Sequence, residues 1–215
     1  MGDVEDAFRW LRTSAGQRFP TTADRIAAVG ESAGGYLALT AGFRIEPHLD
    51  AVVSLYGYGD LIGPWYSRPS AHPCHQGADL TPDEITRLMS GPPVAEGRLR
   101  EGDGHAFYRH CRRYGTWPTA VSGWDPDKEA ERFLPFMPIA NVTDRYPPTI
   151  LVHGSDDTDV PYDRSTEMAA ELERHGVEHR LIEIPAAEHG FAGADPAAVA
   201  AARDEVIAFL RGHLD

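Results

Sequence analysis

Apolar residues recur along the chain with two alternating periods. Val4, Ala7, Phe8, Trp10 and Leu11 stand at helical spacing behind the acids Asp3, Glu5 and Asp6, which favour a helix N-terminus. Gly16 and Pro20 close that helix, and Thr21-Thr22-Ala23-Asp24 leads onward. Ile26 to Val29 is a short apolar run ended by Gly30, suited to a strand buried on both faces. Tyr36, Leu37 and Leu39, among Ala33, Ala38 and Ala41, predict a helix directly after it. Ala51-Val52-Val53-Ser54-Leu55-Tyr56 predicts a second strand, ended by Gly57 and Gly59.

The same alternation returns late in the chain. Thr149 to Val152 reads as a strand, Asp163 to His175 as an amphipathic helix stopped by Gly176, and His179 to Ile184 as a strand ended by Pro185. Asp195 caps a last helix with Pro196 at its first position. Strands alternating with helices predict an α/β fold with a parallel sheet flanked by helices. Between Asp60 and Pro148 no period is sustained. Thr81 to Met89 predicts a short helix with Thr81 as N-cap, and Gly104 to Tyr114 another. So long a stretch is too large for a connection, so 60–148 is expected to be an inserted lid or cap within one domain spanning 1–215.

Composition narrows the function classes. Charged residues make up 25% and hydrophobic ones 42% of the 215, as in an ordinary globular protein. A net charge of −13 argues against nucleic acid and anionic membranes as partners. No apolar run reaches membrane length and no signal peptide opens the chain, so the cytoplasm is the expected compartment. Cys74 and Cys111 are too few for a disulfide framework. His72, Cys74, His75, His105, His110 and Cys111 crowd the insertion without any standard ligand spacing, and no metal is expected. Trp65, Tyr66, Trp117 and Trp124 are expected to pack within the insertion rather than line a pocket.

Candidate chemistry starts at Gly30-Glu31-Ser32-Ala33-Gly34, a G-x-S-x-G pattern set between a strand and a helix. Such a turn brings the chain on either side close together. Gly30 and Gly34 are expected to relieve that crowding, and Gly35 to let the helix approach the sheet. Ser32 would then stand clear of the sheet in a strained conformation, as a nucleophile does. A hydroxyl needs a base in reach, itself held by an acid. His153-Gly154-Ser155-Asp156-Asp157-Thr158-Asp159-Val160-Pro161 places three acids beyond one strand, and Ala187-Glu188-His189-Gly190-Phe191 a histidine beyond the next. In a parallel sheet these loops share the edge that holds Ser32.

The chain resembles the C-terminal part of an α/β-hydrolase of the esterase/lipase and prolyl-oligopeptidase-like superfamily. The resemblance rests on Gly-Glu-Ser-Ala-Gly-Gly at 30–35, on the H-G-x-x-D-x-x-V-P pattern from His153 to Pro161 and on His189-Gly190-Phe191. It covers 1–57 and 146–213. It implies Ser32 as nucleophile, Asp157 rather than Asp156 or Asp159 as orienting acid, and His189 as base. The backbone N–H of Ala33 is implied as an oxyanion donor. It further implies hydrolysis of a small-molecule carboxylic ester, with a small acyl group, through an acyl-enzyme and without a cofactor. A prolyl-oligopeptidase-like peptidase is the second reading, and a non-catalytic fragment acting through association the third. His153 is expected to be structural, and Glu31 to make a supporting polar contact.

Members of that superfamily carry further strands and a His-Gly-Gly-type loop ahead of the elbow, and nothing in 1–29 resembles them. The domain is therefore expected to be N-terminally incomplete. Its first strand would present an open edge, for a second copy or a missing N-terminal segment to cover.

Overall fold

The computed structural model describes residues 2–20, 24–77, 79–90 and 103–215. In chain order the elements are α1 (Gly2–Ser14), β1 (Ala27–Glu31), α2 (Ala33–Arg44), β2 (Ala51–Leu55), α3 (Pro64–Ser67), α4 (Pro82–Met89), α5 (Gly104–Tyr114), α6 (Trp117–Ser122), β3 (Thr149–Gly154), α7 (Asp163–Arg174), β4 (His179–Ile184) and α8 (Pro196–Leu214). The predicted lead-in at Thr21, Thr22 and Ala23 lies outside the described residues.

All strand pairs are parallel and their spatial order is the sequence order, β1-β2-β3-β4. Side chains alternate between the two faces. Val52 and Leu151 point into a cluster with Ala38, Leu39 and Ala41 of α2 and Met168 and Leu172 of α7, against which Val4 and Phe8 of α1 also pack. Val53, Ile150 and Val152 point the other way, onto Ala202 and Phe209 of α8. Helices on both faces explain why β2 and β3 are mostly apolar, with Ser54, Thr149 and His153 the buried polar exceptions: all of β3 is buried.

β1 departs from this. It begins one residue after Ile26 and runs on to Glu31, and its Val29 is 55% exposed instead of buried. Val29 shares a face with its register partner Val53, but the helix on that face, α8, packs on β2, β3 and β4. The Ser32 N–H bonds the Leu55 carbonyl, so even-numbered residues of β1 turn their backbone to β2. By alternation Ala27, Val29 and Glu31 direct theirs to the open side.

The chain forms two compact units, Met1–Asp60 with Leu134–Asp215, and Leu61–Phe133. Residues 134–148, read from the sequence as part of the insertion, thus cluster with the sheet. The Tyr146 hydroxyl donates to the Leu39 carbonyl of α2, and the Tyr36 hydroxyl to the Phe136 carbonyl. The Leu61–Phe133 unit, which includes undescribed residues, is a cluster of its own. The buried Arg112 guanidinium lies 5.2 Å from the Trp65 ring, 5.1 Å from Tyr66 and 5.6 Å from Tyr108, and donates to the Trp65 carbonyl. At α4 the Thr81 side chain takes the Glu84 N–H while Glu84 takes the Thr81 N–H, a reciprocal cap. His75 meets Ser70 at 2.7 Å and His72 meets Cys74 at 3.2 Å. Among the described residues no group of His, Cys, Asp and Glu is arranged to hold a metal ion, and no helix is long and apolar enough to cross a membrane.

Candidate active site

Each of the four strands ends beside the same point. After β1, Ser32 sits at φ 51°, ψ −119°, a conformation strained for a residue with a side chain. The turn into α2 is so tight that a Cβ on Gly30 would lie 2.0 Å from the Gly34 carbonyl oxygen. A Cβ on Gly35 would fall 2.8 Å from Ser54 Oγ and 2.9 Å from Gly57 Cα, so glycine lets α2 lie against the end of β2. Gly34 does not share this reason, because a Cβ there meets nothing within 4 Å. The crowding belongs to Gly34's backbone and is relieved at Gly30. Ala33 opens α2 and is exposed, and helix geometry leaves its N–H without an intrahelical acceptor.

After β4, His189 reaches back over the sheet edge. Its Nε2 is 2.9 Å from Ser32 Oγ, and its Nδ1 is 2.8 Å from Asp157 Oδ2. A carboxylate only accepts, so Nδ1 carries the proton and Nε2 is left to accept from the serine hydroxyl. Asp157 is thus the acid that the histidine meets. Asp156 is exposed and takes the Ser155 hydroxyl, while Asp159 Oδ2 stands 3.8 Å from His189 Nε2.

The Asp157 side chain is fully buried. Burial opposes its charge, yet hydrogen bonds from His153, His189 and the Val160 N–H outweigh it and hold the carboxyl below the usual carboxylate range. Oδ1 takes the N–H groups of Val160 at 2.8 Å and Asp159 at 3.0 Å. Behind Asp157, the buried His153 has Nε2 at 2.8 Å from the Val160 carbonyl and 3.2 Å from Asp157 Oδ2, with Nδ1 at 2.7 Å from Ser165 Oγ. Nε2 faces two acceptors and therefore carries the proton. This histidine anchors the acid loop and lies away from the serine.

Tyr56, just past β2, was not singled out by its sequence. Its backbone is at φ 41°, and its ring meets His189 edge-on at 4.9 Å and Phe191 at 4.8 Å. Burial, and then the neighbouring Glu31 carboxylate, push the phenol pKa well up. A non-glycine residue at positive φ leaves no mark in a sequence, so only its place before Gly57 could have pointed to it.

Comparison with known proteins agrees with this architecture. The chain is 26% identical to a non-reducing polyketide synthase of Aspergillus calidoustus over 268 aligned residues, which cover 100% of this chain and 11% of the synthase. It therefore spans about a tenth of the length of the curated relatives it matches. Among solved structures, a Mycobacterium tuberculosis puromycin-hydrolyzing peptidase aligns with TM-score 0.65 and 20% identity, over 99% of this chain and 25% of the peptidase. Thermogutta terrifontis esterase 2 aligns with TM-score 0.58 and 19% identity, over 98% of this chain and 62% of the esterase. At these identities the likeness is one of fold, that of the α/β-hydrolases. Residues 88–215, which hold Asp157 and His189 and begin after Ser32, match the prolyl oligopeptidase family. More than half of the chain is matched, so the chain belongs to the prolyl oligopeptidase family and carries its α/β-hydrolase fold.

Proposed function

We propose that the chain is a serine hydrolase that cleaves carboxylic esters of small acyl groups. Ser32 Oγ attacks the carbonyl carbon while His189 Nε2 takes its proton. The imidazolium so formed is held by the Nδ1–H bond to Asp157. The Ala33 N–H, at the positive end of α2, donates to the oxyanion. His189 then protonates the leaving alcohol, and water repeats the two steps on the acyl-enzyme. The observation that carries this reading is the continuous hydrogen-bonded line Ser32–His189–Asp157.

Peptide-bond cleavage is the second reading, favoured by membership of the prolyl oligopeptidase family. The test is hydrolysis of p-nitrophenyl acetate and of a peptidyl p-nitroanilide by the chain and by Ser32→Ala. The expected result is turnover of the acetate that falls by at least ~10³-fold in the variant. Turnover of the anilide alone would favour the peptidase. Folded protein equal to its variant on both substrates would overturn both enzymatic readings and leave a non-catalytic role.

A further inference from the structure

The acid and the base stand on separate loops, one after β3 and one after β4. Their 2.8 Å contact depends on how the two loops are fixed to each other. The loop stems are tied by backbone and serine. The Asp156 N–H donates to the Ala187 carbonyl at 3.1 Å and the Ala186 N–H to Ser155 Oγ at 2.8 Å. The chains run so close that a Cβ on Gly154 would lie 2.2 Å from the Ala187 oxygen.

At the tips one carboxylate oxygen adds a further tie. Glu188 Oε2 accepts the Thr158 N–H at 3.1 Å and the Thr158 hydroxyl at 2.8 Å, and the His189 N–H more loosely at 3.4 Å. Thr158 follows Asp157 directly, and Glu188 directly precedes His189. The Glu188 N–H meanwhile donates to the Ala192 carbonyl and closes the base loop on itself. Glu188 is half-buried and makes no ion pair among the described residues. Its charge is satisfied by donors that belong to the residues flanking acid and base.

We propose that Glu188 is a positioning residue: its carboxylate clamps the Thr158 end of the acid loop to the base loop and so sets the His189–Asp157 distance. The proposal rests on the triad reading above. Displacing a catalytic group by about 1 Å can cost ~10²-fold in rate, so a clamp at this point acts on turnover more than on binding. Glutamine keeps an acceptor oxygen at the same reach, whereas alanine keeps none.

The experiment measures kcat and KM for p-nitrophenyl acetate, per active site titrated, in Glu188→Ala, Glu188→Gln, Thr158→Val and Glu188→Ala/Thr158→Val. Alongside, the downfield proton signal of the His189 Nδ1–H is followed, assigned by its loss in Asp157→Ala. In Glu188→Ala, kcat is expected to fall ~10- to 100-fold with KM within about twofold, and the signal to broaden or vanish. Glutamine restores most of both, and the double variant is no worse than Glu188→Ala. An unchanged signal and per-site kcat in Glu188→Ala, or additive losses in the double variant, would overturn the proposal. If the parent chain lacks Ser32-dependent turnover, the enzymatic reading falls, and the proton signal alone decides the clamp.

Discussion

His153→Leu asks how much of the Asp157 charge is held from behind. The imidazole has one proton on Nε2 and two acceptors before it, the Val160 carbonyl at 2.8 Å and Asp157 Oδ2 at 3.2 Å. A hydrogen bond to a buried charged group contributes ~1.5–3 kcal/mol. Since the proton is shared and the carboxylate is the farther acceptor, the low end applies, about 1.5 kcal/mol of coupling at neutral pH. The single variant also leaves the Val160 carbonyl and Ser165 hydroxyl short of a partner, so its total loss exceeds the coupling. A double-mutant cycle with Asp157→Asn, by urea unfolding, separates the two. The pH dependence follows from the sign of the shift. The carboxyl is held below its unfolded value, so its stabilising share is present above that value and is lost as pH falls through the lower folded one. Without His153 the folded value moves up, since burial is unchanged and one opposing contact is gone. The coupling should therefore be full at neutral pH and shrink as pH falls through the variant's folded value toward the parent's. A coupling below about 0.5 kcal/mol, or one independent of pH, would refute the argument that His153 holds the carboxylate charged.

Two further outcomes test the site's frame. Gly30→Ala places a Cβ 2.0 Å from a backbone oxygen that no rotamer can move, whereas Gly34→Ala enters open space. The first should cost at least ~10²-fold in kcat and the second leave thermal stability within a degree or two, read by kinetics and calorimetry. Tyr56→Phe keeps the ring and removes only the hydroxyl, and should change stability by less than about 1 kcal/mol and leave kcat in place. Tyr56→Ala removes the ring against His189 and should lower kcat ~10-fold. Equal kcat in the two Tyr56 variants would show that the ring does not brace the base.

The elements legible in the sequence are those whose periods or caps are local. Thr81 with Pro82 and Glu84 marks the start of α4, Asp195 with Pro196 that of α8, and the largely apolar runs of β2 and β3 follow from helices on both faces. The site was legible through its spacing, because loops after parallel strands must share an edge. Which of Asp156, Asp157 and Asp159 turns inward was not legible from spacing; the resemblance alone implied Asp157, and in the structure the N–H groups of Asp159 and Val160 hold its carboxylate under the loop. Val29 misled for a different reason: an apolar residue in a strand reads as buried, and only the placement of α8 over β2 to β4 leaves it bare. In the Leu61–Phe133 unit Arg112 is buried among aromatic rings, a polar residue where a hydropathy pattern expects an apolar one.

Backbone strain links these observations. Among the described residues, Ser32, Tyr56, Ala186 and Phe191 have positive φ without being glycine. Ser32 and Tyr56 end β1 and β2, while Ala186 and Phe191 bracket His189 in the base loop. Each such residue costs on the order of 1–3 kcal/mol and persists only where its surroundings over-determine it. Here the surroundings are identifiable. Ser32 is pinned by its N–H to Leu55, Tyr56 by its N–H to Val152, and Ala186 by its N–H to Ser155. Phe191 is wedged against the Tyr56 ring. Ser54, Val152 and Ile184 beneath them are at most 1% exposed, so the strain is anchored on close-packed sheet. Relaxing any one of these turns would move a side chain that touches His189 or its partner. On the proposed triad, the strain is thus concentrated where a displaced atom would cost most in rate, and glycine at Ser32 or Tyr56 would relieve it only by removing the group the position presents.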